Sequence, residues 1–222
     1  MYYKGKKLSI LGDSLSTYQG VSNDGNINHT LVSNPCFYRE PFPEDKTYWS
    51  LLLARFGMVL CVNNSYSGGN LSGRDTPISG VSRARELASD GGDMPDLVLL
   101  LMGLNDLGRR VDPEVFAADY QKAVETIGEC YPEAELLIVT LPDRDPVLTA
   151  EAEVFNRAIL AAAAQMGERA FVADLFHSRL RDDTYYMNTL DGLHLDEDGM
   201  RMLADIIGEA IEGRIADKGA RI

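Results

Sequence analysis

Cysteine is scarce in this chain: its 222 residues hold three, Cys36, Cys61 and Cys130, odd in number and far apart. Such spacing fits neither a disulfide framework nor a zinc site, so reduced thiols are expected. Positive charge is also short, with 21 Lys and Arg against 34 Asp and Glu, for a formal net charge of −13. That balance repels nucleic-acid phosphates and anionic membrane surfaces, which argues against both as partners. Long hydrophobic runs are missing. The longest, LVLLLM at 97–102, falls far below the ~20 residues that a bilayer span needs. The N-terminal MYYKGKKLSILGDS has too short an apolar stretch for a signal peptide and no small-residue cleavage site, so a cytoplasmic location is expected. Repeats, low-complexity segments and linker-like shifts are absent as well, and residues 1–222 read as one domain. Histidine is as scarce as cysteine: His29, His177 and His194 are the only three.

What is present is a rhythm. Five short apolar runs read as buried strands: KLSIL (7–11), MVLCVNN (58–64), DLVLLLM (96–102), ELLIVTL (135–141) and RAFVADL (169–175). They are rich in Leu and β-branched residues without strict alternation, as strands covered on both faces should be. Between them Phe116, Tyr120, Val124, Ile127 and Tyr131 recur at helical spacing, as do Leu203, Ile206, Ile207, Ala210 and Ile211. Pro113 stands where a first turn begins, behind Asp112 as N-cap. Alternating strands and helices make an α/β protein with a parallel sheet. One segment breaks the pattern: residues 19–45, rich in Asn, Gly and Pro, form a long loop insertion after the first strand.

In an open parallel sheet, ligands gather outside the carboxyl ends of the strands, near the point where strand order reverses. Those ends carry GDSLS, NNSYSGGN, MGLNDLG and PDRDP after strands one to four. With order 2-1-3-4-5 the reversal falls between strands one and three, and Ser14 faces Asn105. Ser14 alone is turn chemistry, a phosphate cradle or a nucleophile. A nucleophilic serine needs a base, and His194 in DGLHLDEDGM has Asp191 three residues earlier. On a helical turn that spacing puts both on one face, where the carboxylate fixes the imidazole tautomer. A hydroxyl, a base, an orienting acid and candidate oxyanion donors are the parts of an acyl-transfer site.

GDSL at 12–15, the Gly-bearing block after strand two, GLND at 103–106 and DGLH at 191–194 resemble the four blocks of the SGNH hydrolases, or GDSL esterases and lipases. The resemblance implies a flavodoxin-like three-layer α/β/α sandwich, a five-stranded parallel sheet of order 2-1-3-4-5, and no cofactor or metal. It further implies Ser14 as nucleophile, His194 as base and Asp191 as its orienting acid. The oxyanion hole would comprise the Ser14 and Gly68 N–H groups and the Asn105 amide, with Gly69 an adjacent alternative to Gly68.

For substrate, the 19–45 loop carries Phe37, Tyr38, Arg39 and Phe42, and DDTYYMNTL carries Tyr185, Tyr186 and Met187. Mixed aromatic and polar residues suit a sugar ring beside a short acyl pocket, and Asp13, Tyr38 and Tyr185 are the expected substrate contacts. A small-molecule or carbohydrate ester is the expected partner, with O-acetyl groups leading and a lysophospholipase or acyl-thioesterase activity as the alternative. A rival of another class is an FMN-binding module, with Ser14, Ser16 and Thr17 around the phosphate. Such a loop should enter a helix directly. Here a long loop intervenes, and DGLH would have no role.

Overall fold

Burial on both faces decides the centre of the sheet. Leu97–Leu101 and Glu135–Val139 are buried at every position, and between Lys7 and Gly12 only Lys7 is partly exposed. The structure, a computed structural model, describes residues 2–22 and 36–220. Residues 23–35 of the long connection, His29 among them, lie outside the described residues.

Five strands pair in parallel: β1 (Lys7–Gly12), β2 (Val59–Ser65), β3 (Leu97–Leu101), β4 (Glu135–Val139) and β5 (Ala170–Ala173). Their order is β2-β1-β3-β4-β5, as the sequence leads one to expect. β1 and β3 therefore lie side by side while the chain runs outward from them in opposite directions, which opens the crevice between their carboxyl ends.

Helices cover both faces. α1 (Tyr48–Phe56) packs against α7 (Glu197–Gly219), while α4 (Pro113–Cys130) packs against α2 (Gly80–Arg83) and α5 (Thr149–Gln165). Two shorter helices, α3 (Leu104–Gly108) and α6 (Asp182–Met187), stand at the carboxyl edge of the sheet. Asp112 caps α4 by accepting hydrogen bonds from the Glu114 and Val115 amides, with Pro113 in the first turn. Phe116, Tyr120, Val124 and Ile127 then face the core, as do Leu203, Ile206, Ile207 and Ile211 of α7. Among the described residues no helix is long and apolar enough to cross a membrane.

Candidate active site

β1 ends in a turn braced from several sides. A Cβ on Gly12 would stand 2.6 Å from Ser16 Cβ, Ser16 Oγ and Ser65 Oγ, so only glycine lets the chain bend so closely against β2. Asp13 caps a 3-10 turn over Ser14–Ser16 by accepting from the Leu15 amide at 3.0 Å. Asn63 Nδ2 donates to the Ser16 carbonyl at 2.9 Å, and the Ser16 and Tyr48 hydroxyls share a hydrogen bond of 2.7 Å. Arg83, fully buried on α2, donates to the Gly12 carbonyl at 3.1 Å and to Asn64 Oδ1 at 3.0 Å. Burial lowers the Arg83 pKa only to about 10, so it stays cationic at neutral pH. Thr17 spends its hydroxyl proton on the Ser14 carbonyl at 2.8 Å. Ser16 and Thr17 are fully buried, with their hydroxyls paired to Tyr48 and to the Ser14 carbonyl, so neither hydroxyl faces outward to cradle a flavin phosphate.

Asp13 lies at the wall of the site but is buried, with its carboxylate bonded to the turn it caps. Burial pushes its pKa up to about 7; the Leu15 N–H opposes that rise, Asp106 adds to it, and Arg83 opposes it again.

The segment carrying Asp191 and His194 is a loop, not the helical turn expected from its spacing. Asp191 Oδ1 accepts from the Leu193 amide at 3.0 Å and the His194 amide at 2.8 Å, and Oδ2 meets His194 Nδ1 at 2.8 Å. A carboxylate that bonds its own loop amides reaches the ring without any helix. His194 Nε2 stands 2.9 Å from Ser14 Oγ. Burial lowers the His194 pKa, outweighing the upward pull of the Asp191 hydrogen bond and charge. The Asp191 carboxylate thus does not lift the imidazole above its ordinary value. Phe37 contributes to that burial: its ring stacks on the imidazole at 3.4 Å and 9°.

Tyr38 and Tyr185, expected as substrate contacts, are 1% and 0% exposed, with Tyr38 at the lining of a groove that runs along Arg39 and Phe42. Their hydroxyls donate to the Leu195 carbonyl at 2.9 Å and the Leu193 carbonyl at 2.7 Å, one on each side of His194. Both therefore hold the histidine loop from beneath. His177 repeats the Asp-x-x-His pairing with Asp174 at 2.8 Å, but its side chain is largely exposed and Ser14 is not its partner.

Opposite the imidazole stands α3. Asn105 Nδ2 donates to the Gly69 carbonyl at 3.0 Å, and Asp106 accepts from the Leu71 and Ser72 amides at 2.7 and 2.9 Å. GLND thus anchors the loop after β2. Gly68 takes φ +74°, a conformation that glycine tolerates, and its carbonyl accepts from Arg109 Nη1 at 2.8 Å. The Gly69 N–H is already donated to the Tyr66 carbonyl at 3.1 Å. A cavity of about 120 Å³ is lined by Asp13, Ser14, Leu104, Asn105, Arg109 and Arg144. A wider groove of about 710 Å³ runs along Phe37, Tyr38, Arg39, Phe42, Leu190 and Asp196. Sequence reading missed Arg83, Arg109, Arg144 and the placement of Phe37. Two of them had a local signal: Arg109 lies one helical turn after Asn105, and Arg144 stands in the PDRDP that follows the fourth strand. A hydroxyl, an imidazole and a carboxylate in series can pass a proton from Ser14 to His194 while Asp191 stabilises the resulting cation.

Residues 10–202 match the model of the GDSL-like Lipase/Acylhydrolase family. No curated protein matches the sequence. Among solved structures, a protein described as a GDSL-like lipase from Bacteroides ovatus is similar at TM-score 0.73 and 19% identity, over 95% of this chain and 99% of that one. A Clostridium thermocellum family 3 carbohydrate esterase is similar at TM-score 0.66 and 17% identity, over 96% and 98%. A family 3 carbohydrate esterase from Talaromyces cellulolyticus is similar at TM-score 0.61 and 14% identity, over 96% and 99%. At these identities the likeness is one of fold.

Proposed function

The chain belongs to the GDSL-like lipase/acylhydrolase family, and from that premise we propose that it hydrolyses short-chain acyl esters through an acyl-enzyme on Ser14. The preferred esters are O-acetyl groups on a carbohydrate or similar small alcohol. The observation that carries this reading is the series Ser14 Oγ to His194 Nε2 at 2.9 Å and His194 Nδ1 to Asp191 Oδ2 at 2.8 Å. Ser14 Oγ attacks the ester carbonyl carbon as its proton moves to His194. The carbonyl oxygen becomes an oxyanion, met by the Ser14 and Gly68 N–H groups and the second amide hydrogen of Asn105. Gly68 is favoured over Gly69 because the Gly69 N–H is spent on the Tyr66 carbonyl. Collapse expels the alcohol, which takes the proton from His194. Water then attacks the acyl-serine, giving its proton to His194, and the acid leaves as Ser14 recovers that proton.

Two features support acetyl as the acyl group. The cavity beside Ser14 is small, and carbohydrate esterases stand among the similar folds. The test is an assay on aryl acetates with Ser14→Ala, together with labelling by a serine-directed phosphonate. Activity is expected to vanish in the variant while its thermal unfolding stays cooperative, and the label is expected on Ser14 alone. Full activity in the variant, or labelling elsewhere, overturns the reading.

A further inference from the structure

Arg144 follows β4 in PDRDP and lines the cavity that holds Ser14 and Asn105. It is half-buried, its Nε is buried, and that Nε has no hydrogen-bond partner among the described residues. Buried polar atoms are nearly always satisfied, so an orphaned guanidinium nitrogen beside a reactive serine calls for a ligand. Arg109 stands on the same cavity, with Nη1 committed to Gly68 and Asn70. The one acid in that lining, among the described residues, is Asp13, whose carboxylate caps its own turn. Against a net charge of −13 for the whole chain, this small space presents two cations and one inward-committed acid.

We propose that Arg144 forms an anion subsite, and that the preferred substrate is a short ester bearing a carboxylate a few bonds from the scissile carbonyl. The proposal rests on the ester-hydrolase reading and narrows its substrate class. A guanidinium pairs with a planar carboxylate through two parallel N–H donors, and low polarity around the pair strengthens it. Arg109 adds to the local potential, but its hold on Gly68 makes it chiefly a brace for that loop. The carboxylate can sit on the acyl or the alcohol portion, and the two arms of one experiment separate these sources.

Binding is measured by calorimetry to the Ser14→Ala protein, so no turnover is required. Monomethyl succinate is compared with methyl butyrate for the acyl side, and acetoxyacetate with acetoxyacetamide for the alcohol side. In one pair the anion is expected to bind roughly 10- to 100-fold more tightly than its neutral partner, as a charge-assisted hydrogen-bonded contact predicts. That advantage should shrink as salt is raised. It should fall to near onefold when Arg144→Gln is added and survive in part with Arg144→Lys, which keeps charge without the planar fork. No anion advantage in either pair, or an advantage unchanged in Arg144→Gln, overturns the proposal. Failure of wild-type protein to hydrolyse neutral aryl acetates would instead count against the hydrolase reading, leaving the binding comparison to decide the anion subsite.

Discussion

His194 sits under two opposing pulls, and their resultant sets the pH at which the proposed base works. Burial, to which the Phe37 stack contributes, disfavours the imidazolium; the Asp191 carboxylate favours it; burial prevails. A base must be neutral to accept the serine proton, so kcat/KM should rise with pH through a midpoint below the ~6.5 of an ordinary histidine. Replacing Phe37 by Ala opens the ring to water and should move that midpoint upward. A pH–rate profile with a wild-type midpoint above ~6.5 would show that Asp191 wins the contest. Asn105 presents a different single-residue test. One of its amide hydrogens is held by the Gly69 carbonyl, which fixes the direction of the other. Asn105→Ala should therefore lower kcat by about 10²–10³, the usual cost of one oxyanion donor, with KM changed less. A variant that raised KM alone would assign Asn105 to ground-state binding.

A strand end is worth more here than any one side chain, because the Ser14 turn is held by β2, α1 and α2 together. Gly12→Ala should test that bracing. Its new Cβ would lie 2.6 Å from Ser16 and Ser65, both tied into the hydrogen-bond set around Asn63. Overpacking of this kind costs about 1–3 kcal/mol, read as a lower urea midpoint, and ester turnover should fall with it as the turn shifts. An unchanged midpoint with full activity would show a turn that yields freely. These elements were largely legible in advance. Uninterrupted apolar runs mark strands buried on both faces, and helical spacing behind Asp112 marks α4, because both patterns are local. The histidine loop was not legible as a shape: Asp191 and His194 do meet, but through carboxylate-to-amide bonds within a loop. Tyr38 and Tyr185 were read as a surface because aromatic residues in polar segments give no hint of burial. Their place under Leu195 and Leu193 depends on contacts far apart in sequence, as does the stacking of Phe37 on His194.

For the molecule as a whole, parallel strands send every crossover to the same edge, and that edge collects the candidate chemistry. Ser14 follows β1, Gly68 follows β2, Asn105 follows β3 and Arg144 follows β4, while His194 arrives on the loop before α7. The same convergence limits the room left for an acyl chain. Leu104, Asn105, Arg109 and Arg144 close around about 120 Å³ beside Ser14, whereas the wider space of about 710 Å³ lies along Phe37, Phe42 and Leu190. The small cavity sets Leu15, Leu104 and Leu193 beside the Arg109 and Arg144 guanidinium groups, so it has apolar surface for a short acyl chain only. A well-buried methylene would contribute about 0.8 kcal/mol, close to fourfold in specificity per carbon. With only about 120 Å³ to fill, that gain should stop early and then reverse as longer chains clash. On 4-nitrophenyl esters, kcat/KM is expected to be highest for acetyl to butyryl and to fall for octanoyl and longer. A specificity constant that climbs steadily through octanoyl would mean that the acyl chain runs along the wider groove. The activity would then be that of a lipase, lysophospholipase or thioesterase, with Ser14, His194 and Asp191 keeping their proposed roles.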